Sequence, residues 1–234
     1  MRTLIGLWMM QITGAVAAYS LADHLAKRPA TAEQITALEG IDPIATFGLL
    51  RACASLGFVT FDGTVFKATP LLGTLQKDIP GSLRSLAMAF AARGHWRPWG
   101  KFLEAMRTCK PQTGPALGVD LWDYYEQTPE EGATFMRAMH SITSGIIREV
   151  VHIVDTSAVK LAVDIGGASG TLVHGLMAAN PHLQGMVVDL PDVVRSAETA
   201  AVELGLAGRF RAIVSNFFDY LPEADLYLLK YVFT

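Results

Sequence analysis

Cysteine is nearly absent from this chain: Cys53 and Cys109 are the only two in 234 residues. Two cysteines so far apart build neither a disulfide scaffold nor a zinc site, no metal centre is expected, and the pair fits a reducing, cytoplasmic setting. A basic surplus is also missing. Nineteen Lys and Arg face 22 Asp and Glu, for a net charge of −3. Binding to nucleic acid therefore has no electrostatic support. Charge of either sign is sparse, at 18% of residues against 51% hydrophobic. That balance excludes a disordered chain, since there is ample apolar surface to bury. The length allows two ordinary domains or one large one.

Residues 3–22 carry no charge at all, and Arg2 precedes them. The stretch has the outline of a signal peptide and is about long enough to span a bilayer. Gln11, Thr13, Gly14, Tyr19 and Ser20 dilute it. Leu4, Trp8, Ile12, Val16 and Tyr19 recur at helical spacing, so the segment reads as a helix with one apolar stripe, buried or at an interface, and not as a membrane anchor.

The next residues carry boundary signals. Thr31 with Gln34 is a capping-box pattern that opens a short helix, ended by Gly40. Asp42-Pro43 opens another, running to Leu56. Phe58–Thr60 and Val65–Ala68 are β-rich around Asp62-Gly63, a hairpin signal, and Thr69-Pro70 opens a further helix. Helices followed by a hairpin outline a winged helix. Its groove-facing helix, Pro43 to Leu56, has one basic residue, Arg51, so the outline suits packing or dimerisation and not DNA reading.

Residues 81–155 read as mostly helical, with breaks at Gly94–Gly100 and Lys110–Pro115. Trp96, Trp99, Trp122, Tyr124 and Tyr125 concentrate there. They serve either as packing between helices or as the wall of a pocket for a flat organic substrate.

Beyond Val159 the pattern changes. Strands are expected at Leu161–Ile165, Met186–Asp189, Phe210–Val214 and Leu226–Phe233, with helices at Leu172–Ala179 and Asp192–Leu204. Strand–helix alternation at this spacing means a doubly wound parallel sheet. The turn Gly166-Gly167-Ala168-Ser169-Gly170 follows the first strand and opens a helix, where bare backbone lets a ligand approach closely. Asp189 ends the second strand, where a carboxylate can accept bonds from both hydroxyls of a ribose. Asp164 ahead of the glycines sits badly beside a pyrophosphate and suits a cationic ligand better.

These motifs resemble the S-adenosylmethionine-dependent O-methyltransferases of the plant caffeate type and their bacterial antibiotic-tailoring relatives. Val163 to Gly170 is similar to that family's first motif, with Ala168 where glycine is usual, and Asp189-Leu190-Pro191-Asp192-Val193 to its second. Asn216-Phe217 resembles the adenine-gripping segment, with Asn where aspartate is usual, and Leu229-Lys230-Tyr231-Val232 the fourth strand. His95-Trp96-Arg97-Pro98-Trp99-Gly100, Trp122-Asp123-Tyr124-Tyr125 and Phe135 to Met139 resemble bacterial members, with Met136 where Asn is frequent.

The resemblance implies an α/β enzyme of secondary metabolism. A winged-helix dimerisation domain would occupy 1–95, pocket helices 96–155, and a Rossmann-like S-adenosylmethionine domain, with about four strands, 156–234. It implies a homodimer acting on a hydroxyl of a small aromatic or polyketide-type molecule, with neither nucleic acid nor membrane as partner. Gly166, Asp189, Leu190, Asn216, Phe217 and Lys230 would hold the cofactor, and Trp96, Trp122, Tyr124, Met139 and His140 the substrate.

Two departures shape the expectation. The family's histidine base falls four residues after the strand lysine, where this chain has Thr234. A neutral hydroxyl cannot take a phenol proton near pH 7, and general-base catalysis is worth ~10²–10⁴-fold. His140 is the best-placed substitute. The fourth strand would also form a sheet edge of order 3-2-1-4, and long apolar edges invite aggregation. The alternatives expected on these grounds are a truncated or split enzyme of little turnover, a piece of a longer sequence, or a non-methylating, cofactor-binding relative that serves as an inactive dimer partner.

Overall fold

The computed structural model of the chain describes residues 2–232. It divides into two compact units, Met1–Ser141 and Ile142–Thr234.

The first unit is helical. It opens with α1 (Arg2–Ala18), α2 (Leu21–Lys27), α3 (Ala32–Glu39) and α4 (Pro43–Ser55), followed by the hairpin β1 (Val59–Phe61) and β2 (Phe66–Ala68). The boundary signals act as read. The Thr31 hydroxyl accepts the Gln34 N–H at 3.3 Å, and the Gln34 side chain accepts the Thr31 N–H at 3.0 Å. The Asp42 carboxylate caps α4 by accepting the N–H groups of Ile44 and Ala45, each at 2.9 Å. At the hairpin, Asp62 accepts the N–H groups of Thr64 and Val65.

Leu21, Ile35, Leu50, Phe66 and Leu72 fill the core of this unit. Cys53 lies among them, and burial pushes its thiol up to about 12. Only part of the α1 stripe joins in: Val16 is buried and Ile12 packs on the core, while Leu4 and Trp8 are 79% and 65% exposed. Polar groups around this core are paired off. Arg84 donates to Asp23 at 2.8 Å and to Ser20 at 3.0 Å, Asp23 also accepts the Lys77 N–H, and His24 pairs with Glu39. Among the described residues no single helix is long and apolar enough to cross a membrane, and α1 and α2 meet at a 60° bend.

Six helices follow α5 (Pro70–Gly73): α6 (Arg84–Ala91), α7 (Arg93–Trp99), α8 (Phe102–Thr108), α9 (Thr113–Leu117), α10 (Leu121–Gln127) and α11 (Pro129–Ile153). The break expected over Gly94–Gly100 is mostly helix. Gly94 falls in the first turn of this seven-residue helix, and Pro98 stands inside it one residue before its end, so the proline ends the helix early and does not prevent it. The 25-residue α11 crosses the division between the units.

The second unit is a four-stranded parallel sheet of order β5-β4-β3-β6, the order anticipated from sequence. Its elements are β3 (Leu161–Ile165), α12 (Thr171–Ala179), β4 (Gln184–Asp189), α13 (Pro191–Glu203), β5 (Phe210–Val214) and β6 (Leu226–Leu229). Arg209 ties α12 to the start of β4 by donating to the carbonyls of Met177, Asn180 and Leu183. The expected fourth strand is shorter than read. β6 ends at Leu229, Lys230 lies just beyond it, and Tyr231 turns into the left-handed region at φ 57°. The apolar run that suggested a longer strand cannot signal a reversal carried by a non-glycine residue. Its last residue, Phe233, lies outside the described residues, as does Thr234.

Candidate functional site

The ends of β3, β4 and β6 share one edge of the sheet, with Ile165 level with Val188 on one side and Leu229 on the other. Residues 166–170 turn sharply there. Gly166 and Gly170 take φ of 64° and 72°, and Ala168 takes 49°. Gly167 must lack a side chain, because a Cβ would stand 2.6 Å from the Asp164 carboxyl carbon. The turn is thus a bare backbone cradle set against an acid.

Asp189 is fastened to that cradle. One carboxylate oxygen accepts the Ala168 N–H at 2.8 Å and the other accepts the Leu190 N–H at 2.7 Å. A carboxylate offers about four lone-pair sites, so each oxygen keeps capacity for a ligand hydroxyl. The Ser215 N–H donates to the Asp189 carbonyl at 3.1 Å, which brings the segment after β5 alongside. In that segment the Asn216 side chain accepts the Phe218 N–H, and Phe217 packs on the core cluster of Val163, Ile165, Met186 and Val188. Leu190 is 45% exposed beside Asp189, an apolar surface next to a polar one.

Two buried polar side chains lie beneath the turn. Asp164 is 2% exposed; its Oδ2 has no hydrogen-bond partner, while the Val173 N–H donates to the carboxyl group. Burial pushes its pKa up to about 7, Asp189 pushes the same way, and Lys230 opposes them. Lys230 is in turn held below its ordinary value by burial, with Asp164 opposing, and its ammonium lies 4.3 Å from the Tyr231 ring centroid. His174 is also 2% exposed, with both ring nitrogens unpartnered. Its ring stands edge-on to Phe210 at 4.4 Å, fills the space where a Cβ on Gly170 would go, and is pushed down to about 4 by burial.

The sequence-proposed substrate residues lie in the first unit. Trp96 is half-buried, and Trp122 is 54% exposed with its ring edge-on to Tyr125 and Phe135. Tyr124 is buried, and its hydroxyl donates to Glu131 at 2.9 Å. Met139 and the exposed His140 are on α11. Sequence reasoning missed Glu131, which also accepts the Gly94 N–H at 2.6 Å and so ties α7 to α11. No spacing rule announces a contact between residues so far apart in the chain. Among the described residues, no group of three His, Cys, Asp or Glu side chains could hold a metal ion.

A family model described as an O-methyltransferase domain matches residues 99–234. The chain belongs to this O-methyltransferase family. It is 32% identical over 219 residues to O-demethylpuromycin-O-methyltransferase of Streptomyces alboniger, covering 90% of this chain and 57% of that protein. Among solved structures, mitomycin 7-O-methyltransferase superposes with a TM-score of 0.89 at 29% identity, covering 98% of this chain and 69% of that one. Human N-acetylserotonin methyltransferase in complex with S-adenosylmethionine gives 0.84 at 28% identity, covering 99% and 69%. The fold of this chain is therefore the α/β, Rossmann-like fold of those structures. The chain spans between about half and two thirds of the length of the first relatives it matches.

Proposed function

We propose that this chain binds S-adenosylmethionine over the ends of β3 and β4 and belongs to an enzyme that methylates a hydroxyl of a small aromatic or polyketide-type molecule. The observation that carries the reading is the bond from the Ala168 N–H to Asp189. It joins the glycine turn and the strand-end carboxylate into one preorganised unit, the arrangement a ribose needs beside a closely approaching backbone. The residues fit the cofactor: Gly166 leaves the backbone bare, Asp189 and Leu190 meet the ribose and its apolar surroundings, and Asn216 and Phe217 supply a polar edge and a ring for adenine. Lys230 reaches the same edge from β6.

When bound, the cofactor supplies an electrophilic methyl group on a sulfonium. The chain's own work is to hold that group in line with a substrate hydroxyl, since orientation contributes much of the barrier reduction. Trp96, Trp122, Tyr124, Met139 and His140 are assigned to the substrate side, where aromatic and apolar walls suit a flat molecule. The first unit is read as a winged-helix-like dimerisation domain at 1–95, with pocket helices to 155 and the cofactor domain from 156. The exposed Leu4 and Trp8 on α1 favour a second copy of the chain as partner. Relatives named for methyl transfer favour this enzymatic reading over an inactive dimer partner.

The test is titration calorimetry with S-adenosylmethionine on the parent and on Asp189→Ala. Loss of hydrogen bonds to a charged group costs about 1.5–3 kcal/mol, so the variant should bind roughly 10- to 150-fold more weakly. Equal affinity for the two proteins removes Asp189 from the site.

A further inference from the structure

The polar groups that face Asp164 come from every element packed around it. From the end of β4 comes the Asp189 carboxylate, from just beyond β6 the Lys230 ammonium, and from α12 the Val173 N–H. The glycine turn adds only backbone and the Ser169 and Thr171 hydroxyls, which bond to each other at 2.9 Å. One carboxyl oxygen, Oδ2, meets none of these groups at hydrogen-bond distance, although the side chain is buried. A buried carboxylate left with an unpartnered oxygen costs far more than the neutral acid does in the same place. An incoming cation reverses that preference, because an opposite charge within ~4–6 Å favours the ionised form.

We propose that Asp164 is a proton-exchanging contact of the cofactor site: a cationic group of the bound cofactor, its ammonium or its sulfonium, converts the side chain from carboxylic acid to carboxylate. The O–H bond of the acid breaks, the electron pair stays on the carboxylate, and the proton passes to solvent. The inference rests on the reading of the cofactor as S-adenosylmethionine and adds that its binding is linked to proton release. With the empty-site acid titrating at about 7, on the order of half a proton leaves per cofactor at pH 7. Release grows toward a whole proton as the pH falls toward 6 and fades above pH 8. Affinity accordingly rises with pH through this window and then levels.

The experiment is calorimetry of the full chain in two buffers of different ionisation enthalpy, which counts protons directly. The probes are S-adenosylmethionine, S-adenosylhomocysteine, which keeps the ammonium and lacks the sulfonium, and methylthioadenosine, which lacks both. Proton release with the first two and none with the third assigns the ammonium; release with the first alone assigns the sulfonium; either supports the proposal. Binding without release, or equal release with methylthioadenosine, overturns it while leaving the cofactor assignment intact. Failure of all three ligands to bind overturns both. In Asp164→Asn the proton count should fall to near zero, and an infrared difference band of a protonated carboxyl, lost on binding in the parent, should be absent. Lys230→Gln offers a second route that keeps the acid in place. Removing the neighbouring positive charge should move the proton-release curve to higher pH, and an unmoved curve counts against the proposal.

Discussion

The two units treat their polar groups in opposite ways. In the first, Asp23 accepts from Arg84 and the Lys77 main chain, and His24 is joined to Glu39. In the second, the buried side-chain atoms without partners, among the described residues, are Asp164 Oδ2 and both nitrogens of His174, all packed against one glycine turn. Buried polar groups are nearly always satisfied, so such exceptions mark places where stability is given up for another purpose. The first unit spends its charges on holding helices together. The second leaves an acid and an imidazole unsatisfied directly beneath the glycine turn, where the cofactor is proposed to bind.

The sharpest way to test this contrast is to break the satisfied cluster. Asp23→Ala removes an ion pair whose side chains are 17% and 28% exposed, and strips the Lys77 N–H of its acceptor. Leaving Arg84 without its carboxylate should destabilise the first unit by about 2 kcal/mol, within the range for hydrogen bonds to charged groups. Urea denaturation should show the loss in the first unit, with S-adenosylmethionine affinity unchanged. A fall in affinity of the size expected for Asp189→Ala would show that the two units do not divide their labour in this way.

Much of this division is legible in the amino-acid order. The capping box at Thr31 and Gln34 and the start at Asp42-Pro43 follow from local signals that tertiary packing reinforces, whereas the sheet order is non-local and follows from the family resemblance. Asp164 stands out in the sequence too, since an acid ahead of a glycine turn is awkward beside a pyrophosphate and suits a cationic ligand better. His174 reads only as one histidine among several, because the sequence does not show its ring lying under Gly170. The i to i+4 spacing on the first turn of α12 is the one signal that could have found it. The end of β6 was misread for a different reason: hydrophobic pattern measures burial, and Tyr231 turns the backbone by its φ angle alone.

The orphaned histidine gives the next test. Its folded pKa of about 4 lies below the ordinary unfolded value, so its burial contributes stability that is fully present above about pH 6.5 and lost as the pH falls toward 4. Asp164 runs the other way: its folded value of about 7 is raised, so stability is lost as the pH climbs from about 4 to 7. His174→Leu removes two unpartnered nitrogens and one ring contact with Phe210, which nearly cancel at pH 7. At pH 5 the variant should be more stable than the parent by about 1–2 kcal/mol. The check is the difference between denaturation midpoints at the two pH values, in which Asp164 cancels because both proteins carry it. Identical pH profiles would mean that the imidazole finds a partner, and the contrast between the units would narrow to Asp164 alone.

The smallest expected effect bears on the turn itself. Ala168 holds φ at 49°, a region where an L-residue pays about 1–2 kcal/mol against glycine. Glycine gives back part of that by loosening the unfolded chain, worth about 0.4–1 kcal/mol. Ala168→Gly should therefore stabilise the second unit by roughly 0.5–1 kcal/mol. The N–H that Ala168 donates to Asp189 belongs to the backbone and survives the change. Affinity for S-adenosylmethionine should consequently stay within about twofold of the parent. A more stable variant with equal affinity locates the strain in the Ala168 side chain and the binding geometry in its main chain. A less stable variant would mean that the methyl group packs well enough to outweigh the strained backbone. A more stable variant that binds poorly would mean instead that the strained alanine is what keeps the turn in its ligand-ready shape, and the second unit would then store backbone strain as well as unpartnered polar groups at the same few residues.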